Sequence, residues 1–519
     1  MTGGFSGKKV LIFQQRDWAL SMGRLLAQKL QAEGCELAAL TLKKSTHDFI
    51  LSQQEVKYQY VVNIDEIFAD PDKFLSSDDK FTLKDVCDNL GVDSVWALIQ
   101  SNRLLVRSYQ EKYYYSFSQH APDEYIISYI RAYYKAIKEL LEKFKPDLII
   151  TAAAIYEGHA ILNLLADRMK VPMVWVADSK VVGYYFFAYD YKADRGEFFD
   201  RVDALNEKRA ETANREKAKQ YIREFRENFL QQEITNQWEI NKRQRTFWEK
   251  IKIELSPYRQ SIGWYLYGRS KNLIKNIGPA PDCRPPRILL RDFYARKRYL
   301  KFIKNYNYFP LEEINKCIFY PLQFQPEATV DLFAPHFNNQ LEVARQIAIS
   351  LPGDYTLVVK MHPGMAGLMS PSYLKKLDRT PNVKLVDYRI SSEKIIKKAD
   401  LVISSVGTAL VEAAFFHKPA IQLGDLGTTL KSPNVFKHTD MTTLPKKIKE
   451  LLALNLKTPE FERKLENYVA AVYDVGFEFK YATFWLKGKG YDKENFWKLY
   501  RNEISRIFQK ESKSSKTNE

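Results

Sequence analysis

Apolar runs in the second half of the chain predict buried strands. Three short runs rich in Val, Ile and Leu lie within residues 357–367, 382–387 and 399–425, and helical or loop-like segments separate them. This pattern is typical of parallel strands in βα units, which are buried on both faces. The first half of the chain has a comparable series, with runs at residues 8–14, 36–42, 146–151 and 171–176. The pattern predicts an α/β fold with two Rossmann-like domains.

The residues between the two series have a different character. Residues 201–277 predict charged helices with a narrow apolar stripe, and residues 278–287 form a Pro-rich connector. We therefore expect an additional helical insertion. The predicted division is an N-terminal α/β domain at 1–195, a helical segment and connector at 196–284, a second α/β domain at 285–440, C-terminal helices at 441–508 and a disordered tail at 509–519.

Polar residues follow two predicted strands of the second domain. The first group is Lys360, His362 and Pro363, and the second is Ser404, Ser405, Gly407 and Thr408. In an open parallel sheet, ligands bind outside the carboxyl ends of the strands. Both groups should therefore lie at the same edge of the sheet.

The second group has the features of a phosphate site. A helix is predicted directly after it, at residues 409–416, and the free N–H groups and dipole at a helix N-terminus attract an anion. Gly407 permits close approach to the backbone, and the Ser and Thr hydroxyls add donors. The alternative is an ordinary helix cap made of Ser and Thr.

Composition and charge narrow the choice of function. The chain has 519 residues, of which 45% are hydrophobic and 14% aromatic, as in a globular protein. Its net charge of +16 favours anionic partners. The four Cys are scattered, as expected of reduced cytoplasmic thiols, and neither a signal peptide nor a run long enough to span a bilayer is expected.

The chain resembles bacterial capsule and surface-polysaccharide synthesis proteins of glycosyltransferase-B fold. The resemblance lies in YPLQFQPEATVD, NNQLEVARQIAISLP, LVVKMHPG and ISSVGTALVEAAFFHKPAIQLGD, which occur in that order over residues 317–425; over the N-terminal domain it is general. The His-Pro and Ser-Ser pairs are also similar to those of polysialyltransferases and capsule Kdo transferases, which use CMP-activated acid sugars. The resemblance implies that His362-Pro363 and Ser404-Ser405 hold the CMP leaving group. Many relatives have an acidic residue before His-Pro, where this chain has Met361.

The chemistry of sugar transfer is compatible with these side chains. A departing phosphate needs its negative charge stabilised, and His362 can hydrogen-bond or protonate it. Lys360 should point to the same side of the strand and add positive charge. Glu412, four residues after Thr408, is placed either to reach a ribose hydroxyl or simply to be solvated. No D-x-D pair occurs in a strand-loop context, so we expect neither a metal site nor a cofactor.

The general base should come from the N-terminal domain. The candidates, in order of preference, are Glu157, Asp178 and Asp17, each just after a predicted strand; a solvated loop carboxylate is the alternative for each. Glu157-Gly158 resembles the acidic motif of polysialyltransferases, with Tyr156 in place of its first acid. His159 is either a helper or a core residue.

We therefore expect a glycosyltransferase that moves an acid sugar such as Kdo or sialic acid from a nucleotide donor, by resemblance CMP-linked, to a glycan or lipid-linked acceptor. Four alternatives stay open: a CDP-polyol phosphotransferase of teichoic-acid type, a non-hydrolysing UDP-sugar epimerase, a non-catalytic assembly protein and a nucleic-acid binder, for which no recognition motif is present. The expected location is cytoplasmic and peripheral on an anionic membrane, because residues 238–275 are basic and aromatic; packing of these helices between domains is the alternative.

Overall fold

Two sheets form the centres of two α/β domains. The structure is a computed structural model that describes residues 4–106, 121–230, 246–268, 273–274, 278–279, 285–481, 484 and 490–516. Its strands are β1 (Lys9–Gln15), β2 (Glu36–Leu42), β3 (Tyr58–Asn63), β4 (Leu148–Thr151), β5 (Met173–Asp178), β6 (Tyr184–Ala188), β7 (Leu273–Ile274), β8 (Gly278–Pro279), β9 (Cys317–Pro321), β10 (Thr356–Lys360), β11 (Val383–Val386), β12 (Leu401–Ser404), β13 (Ala420–Gln422), β14 (Val435–Lys437) and β15 (Phe477–Glu478).

Helices connect the strands and cover both sheets. They are α1 (Arg16–Leu20), α2 (Met22–Ala32), α3 (Lys44–Ser52), α4 (Ile64–Ala69), α5 (Leu83–Leu90), α6 (Trp96–Ile99), α7 (Arg103–Val106), α8 (Asp123–Phe144), α9 (Glu157–Arg168), α10 (Glu197–Asn206), α11 (Arg215–Asn228), α12 (Phe247–Gly263), α13 (Pro286–Lys304), α14 (Ala328–Asp331), α15 (Gln340–Ile349), α16 (Pro371–Asp378), α17 (Ser392–Lys398), α18 (Thr408–Phe415), α19 (Gly427–Leu430), α20 (Leu444–Leu452), α21 (Pro459–Val475) and α22 (Lys493–Lys516). Within the described ranges, none of them is long and apolar enough to cross a bilayer.

Both sheets have the strand order of a Rossmann-like fold. The first runs β3-β2-β1-β4-β5-β6-β15, and the second runs β11-β10-β9-β12-β13-β14. All pairs in the second sheet are parallel, and in the first sheet β6 pairs antiparallel with both β5 and β15. The order reverses between β1 and β4 and between β9 and β12, and such switch points leave a crevice at the carboxyl ends of the strands. The predicted fold class, with two Rossmann-like domains, is confirmed.

Alternation along each strand produces a core on both faces of each sheet. Leu11 and Phe13 of β1 pack on one face of the first sheet, and Val10 and Ile12 pack on the other. In the second sheet, Ile318 and Tyr320 face one core and Cys317 and Phe319 face the other. Burial on both faces explains why these strands are nearly continuous apolar runs in the sequence.

The C-terminal part of the chain returns to the first domain. β15 pairs with β6, and residues of α21 such as Leu465 and Val469 belong to the same core cluster as the first sheet. That cluster also contains Phe333 and Phe415 of the second domain. One apolar core therefore joins the two domains, while their strand ends face a cleft.

Several elements differ from the sequence-based expectation, and β3 and α22 show why. β3 lies in a segment that the apolar pattern does not mark, because Gln59 and Tyr60 are exposed at the edge of the sheet. α22 runs to Lys516 and so enters the predicted disordered tail; Gln, Lys and Glu, which favour helices, continue the helix there. The predicted domain limits themselves stay a prediction.

Candidate functional site

The switch point of the second sheet brings three loops together. β9 lies between β10 and β12, so the loop after β9 is flanked by the loop bearing His362 and the loop bearing Ser404 and Ser405. Phe324, in the loop after β9, meets the His362 ring edge-on with centroids 6.0 Å apart. Strands two positions apart are separated by about 10 Å, so a single phosphate-bearing ligand can reach both outer loops.

His362 is held as a neutral ring. It caps the 3-10 turn Pro363–Met365, and its Nδ1 accepts a hydrogen bond of 3.0 Å from the Gly364 N–H. Burial, together with the charge of Lys360, lowers the pKa of His362 to about 4. Because Nδ1 is an acceptor, the proton of the neutral ring sits on Nε2. His362 can therefore donate a hydrogen bond from Nε2 near neutral pH.

Gln323 organises the loop that follows β12. Its Nε2 donates to Ser404 Oγ at 3.0 Å, and the Ser404 hydroxyl in turn donates to the Val406 carbonyl at 3.0 Å. Gly407 has a φ of +137°, and a Cβ added there would lie 2.9 Å from Gln323 Oε1. The sequence predicts that Gly407 allows a ligand to approach the backbone. In the structure, the group that lies close to Gly407 is the side chain of Gln323.

The two serines of the loop are fully buried, whereas Thr408 is half-buried. Ser405 Oγ has no well-oriented hydrogen-bond partner among the described residues, and the buried Tyr320 hydroxyl lies beside it. Thr408 is the first residue of α18, where backbone N–H groups lack intrahelical partners. The serines therefore shape the turn, and Thr408 and the first-turn N–H groups are the groups left to face a ligand at the predicted anion site.

A lysine and a glutamate lie behind this surface. Lys360 is buried, and its Nζ donates to the Ile390 carbonyl at 3.2 Å and to Ser392 Oγ at 2.9 Å. Desolvation lowers the pKa of Lys360 to about 8, and the charge of Glu412 opposes that shift. Burial raises the pKa of Glu412 to about 7, against the opposing charges of Lys360 and Lys180. Glu412 thus belongs to a charge cluster, and the expectation of a simply solvated carboxylate is wrong.

Lys180 brings a first-domain charge to this cluster. It follows β5, and its Nζ lies 3.0 Å from Asp178 Oδ2. Its positive charge lowers the pKa of Glu412 and also that of Glu327, although burial raises the pKa of Glu327 overall. Beside Asp178, the carbonyl of Ser179 shares the Tyr468 hydroxyl with the carbonyl of Thr428 in the second domain, so the end of β5 lies near that domain.

Glu157 is a core residue of the first domain. It is fully buried at the start of α9 and accepts hydrogen bonds from Asn102 Nδ2 at 2.6 Å and from the Tyr129 hydroxyl at 3.2 Å. Burial raises the pKa of Glu157 to about 7. Its neighbour His159 is also fully buried, stacks on Phe13 and has its pKa lowered by burial to about 3. The expectation of a solvated loop carboxylate at Glu157 is wrong, and His159 is the core residue.

Asp17 stands apart from the cluster. It is exposed in the first turn of α1. Among the three candidate bases, we now prefer Asp178, because it is partly exposed and its chain neighbour Ser179 contacts Tyr468 together with Thr428 of the second domain. The roles of all three stay proposals.

The sequence pattern does not predict four residues of the candidate site, namely Lys180, Tyr320, Gln323 and Glu327. The last three lie within YPLQFQPEATVD, a segment that carries the family resemblance but predicts no individual site residue. Their position became evident from the strand order, because β9 pairs with both β10 and β12 although both follow it in the chain. Lys180 lies two residues after Asp178, and its reach into the other domain has no signal in the local sequence.

Comparison with known proteins gives structural similarity alone. The chain matches no protein-family model and no curated protein. The similar solved structures include the KpsC β-Kdo 2,7-transferase of Thermosulfurimonas dismutans, with a TM-score of 0.32, 12% identity and coverage of 65% of this chain and 79% of that chain. They also include the UDP-GlcNAc 2-epimerase of Methanocaldococcus jannaschii, with a TM-score of 0.22, 11% identity and coverage of 86% and 93%.

A third is the UDP-GlcNAc 2-epimerase of Neisseria meningitidis bound to UDP-GlcNAc, with a TM-score of 0.25, 12% identity and coverage of 90% of this chain and 98% of that chain. At these TM-scores and identities, the similarities assign no activity to the chain.

Proposed function

We propose that the protein is a glycosyltransferase of capsular or surface polysaccharide synthesis. In this proposal it transfers an acid sugar from a CMP-linked donor to a glycan or lipid-linked acceptor. The observation that carries the proposal is the neutral His362, whose Nε2 is left to donate at the sheet edge where α18 also begins. A neutral donor and free N–H groups stabilise a departing phosphate without a proton having to be taken up first.

The proposed roles follow from the surroundings of each residue. His362, Thr408 and the N–H groups of the α18 first turn bind the leaving phosphate, and Pro363 stiffens the loop that presents His362. Ser404, Ser405 and Gly407 position that turn. Lys360 and Glu412 form the charged wall of the nucleotide site, with Glu412 directed at the ribose.

Asp178 is the proposed general base. It is partly exposed at the carboxyl end of β5 and pairs with Lys180, whose charge acts on Glu412 and Glu327 of the second domain. A carboxylate in this position can accept the proton of an acceptor hydroxyl that attacks the sugar. Glu157 is kept as the second candidate, because a pKa of about 7 suits proton transfer near neutral pH.

Nucleotide binding tests the proposal directly. We expect CMP to raise the unfolding temperature, since a ligand that binds only the native state at 100 times its Kd adds about 2.7 kcal/mol of stability. UMP, UDP and CDP serve as comparisons. CMP-Kdo and CMP-sialic acid should then release CMP in the presence of acceptor, whereas release from CDP-glycerol would identify the teichoic-acid type of reaction.

The variant His362→Ala should lose the shift caused by CMP and lower turnover about 10²- to 10³-fold, as expected for one donor to a developing charge. Its own stability should fall only by about 1 kcal/mol, the effect of one lost cap, because the half-buried ring accepts from the Gly364 N–H. If UDP alone stabilises the protein, an epimerase is favoured. If no nucleotide does so, the transferase proposal fails.

We also propose that the acceptor is met at an anionic membrane surface on the inner face of the cell membrane. The net charge of +16 supports this partner, because each Lys or Arg near an anionic surface contributes about 1 kcal/mol.

A further inference from the structure

Helix α12 carries an apolar stripe that faces solvent. The stripe residues recur at alternating intervals of three and four: Trp248, Ile251, Leu255, Tyr258 and Ile262 lie in α12, and Tyr265 lies in the π-helical turn Trp264–Gly268 that follows it. Trp248 is 70% exposed, Leu255 57% and Ile262 61%. A helix of a globular protein normally turns such a stripe toward its own core, and contiguous exposed apolar surface marks an interaction site.

The neighbouring helix α13 fixes α12 to the second domain. Tyr258 meets Tyr294 of α13 through their hydroxyls, and Lys297 pairs with Glu254. On its other side α13 buries Ala295 and Ile303. The hairpin of α12 and α13 is therefore a defined part of the surface, in which Tyr258 contacts α13 while Trp248, Leu255 and Ile262 are exposed to solvent.

Positive charge is concentrated on the same hairpin. Within α12 and α13 there are ten Lys and Arg against three Asp and Glu. The basic residues are Lys250, Lys252, Arg259, Arg287, Arg291, Arg296, Lys297, Arg298, Lys301 and Lys304. Arg296, Lys297 and Arg298 are exposed in a row. Aromatic and aliphatic side chains beside a Lys- and Arg-rich surface are the features of a helix that lies in a membrane interface.

A second copy of the chain is the competing occupant. The three-four spacing would suit a coiled coil, but Pro257 interrupts α12 in its middle. Two copies would also bring together two surfaces with a surplus of seven positive charges each. The charge of an anionic bilayer is complementary to this surface, whereas that of another copy is not.

We propose that the α12–α13 hairpin docks the protein onto an anionic phospholipid bilayer. The stripe of α12 inserts at the boundary of headgroups and acyl chains, and the Lys and Arg of α13 contact the headgroups. The inference rests on the proposed function in one respect, because docking would bring the transferase to a lipid-linked acceptor. The α12–α13 hairpin is the surface through which the protein binds the membrane.

Flotation of the full-length protein with vesicles tests the docking. We expect binding to phosphatidylcholine vesicles that contain about a third phosphatidylglycerol, little binding to pure phosphatidylcholine, and release at about 1 M salt, where the Debye length is near 3 Å. Absence of a preference for anionic vesicles at low salt would overturn the proposal.

A stripe variant separates docking from general charge attraction. The triple variant Trp248→Ser, Leu255→Ser and Ile262→Ser should bind anionic vesicles at least about tenfold more weakly, since each removes apolar area from the membrane contact. The matched control changes three exposed apolar residues elsewhere, Leu51→Ser, Ile349→Ser and Leu454→Ser, and should bind like the wild type.

The remaining outcomes are decisive as well. Equal binding by the stripe variant and the control would contradict insertion of the stripe. A concentration-dependent dimer that the stripe variant abolishes, without vesicle binding by the wild type, would assign the surface to a second copy. None of these measurements uses a sugar donor, so their failure leaves the proposed transferase intact, and failure of CMP binding leaves the docking result intact.

Discussion

At the scale of single residues, burial separates the three candidate bases. Glu157 is fully buried, Asp17 is exposed, and Asp178 lies between these extremes and pairs with Lys180. A general base must be reachable by the acceptor hydroxyl and near the leaving group. Position relative to the cleft therefore decides among residues that look equivalent in the sequence.

Asp178→Asn should lower turnover about 10²- to 10⁴-fold, the range typical of a lost general base. Asn keeps the acceptor for the Lys180 backbone N–H, so the fold and the binding of CMP should persist. The informative measurement is the pH–rate profile, from which the limb that reports the base should disappear. An unchanged profile in Asp178→Asn, with a lost limb in Glu157→Gln or Asp17→Asn, would move the role to that residue.

The buried Glu157 makes stability depend on pH. Its pKa in the folded protein, about 7, lies above that of an exposed Glu, so the folded state keeps a proton that the unfolded state has already released. This contribution is fully present below the unfolded pKa and is lost as pH rises toward 7. Relative to Glu157→Gln, which mimics the protonated form, the wild type should lose up to about 3 kcal/mol between about pH 5 and about pH 8.

Urea unfolding of the two proteins at both pH values gives this difference directly, because all other titrating groups are shared and cancel. Parallel stability curves for wild type and Glu157→Gln would show that Glu157 titrates normally in the folded protein.

At the scale of elements, the turn from β12 into α18 is a rigid support. Gly407 has a φ of +137°, and Gln323 fills the space that a Cβ would need. Gly407→Ala should therefore destabilise the protein by about 1–3 kcal/mol and weaken nucleotide binding, since the first turn of α18 would be displaced.

Gly353→Ala is the matched control, because a Cβ at Gly353 meets nothing within 4 Å. Denaturant unfolding and CMP titration of both variants check the prediction. Equal behaviour of the two variants would mean that the turn tolerates a side chain, and the close approach of Gln323 would then have no consequence.

Whether the sequence alone predicts an element depends on how that element is buried. Strands buried on both faces, such as β9 and β12, were evident as apolar runs, whereas the edge strand β3 was hidden by its exposed Gln59 and Tyr60. His362 and the Ser404-Ser405 pair were found because they follow buried strands directly. The link between them, Gln323, depends on β9 lying between two strands that come later in the chain, and no local pattern encodes that order.

At the scale of the whole molecule, polar contacts and one core join the domains. Lys192 pairs with Asp425 at 3.1 Å, and the Gly427 N–H donates to the Lys192 carbonyl at 3.0 Å. The core cluster of the first sheet includes Phe415 from the second domain, stacked on Phe225 at a centroid distance of 4.0 Å. The interface on this side of the cleft is continuous apolar packing, so we expect the two domains to unfold together.

Tyr468 of α21 is the residue that tests this cooperativity. Its buried hydroxyl is shared between the carbonyls of Ser179, beside the proposed base, and Thr428 of the second domain, at 3.0 and 3.2 Å. Tyr468→Phe leaves both buried carbonyls without that donor and should cost about 1–3 kcal/mol. Calorimetry should show a single transition that moves as a whole to lower temperature, because both domains depend on the same junction. Tyr473→Phe, on the same helix, is the control and should shift the transition less. Two separate transitions in Tyr468→Phe, with only one displaced, would show that the domains are independent folding units joined at this contact.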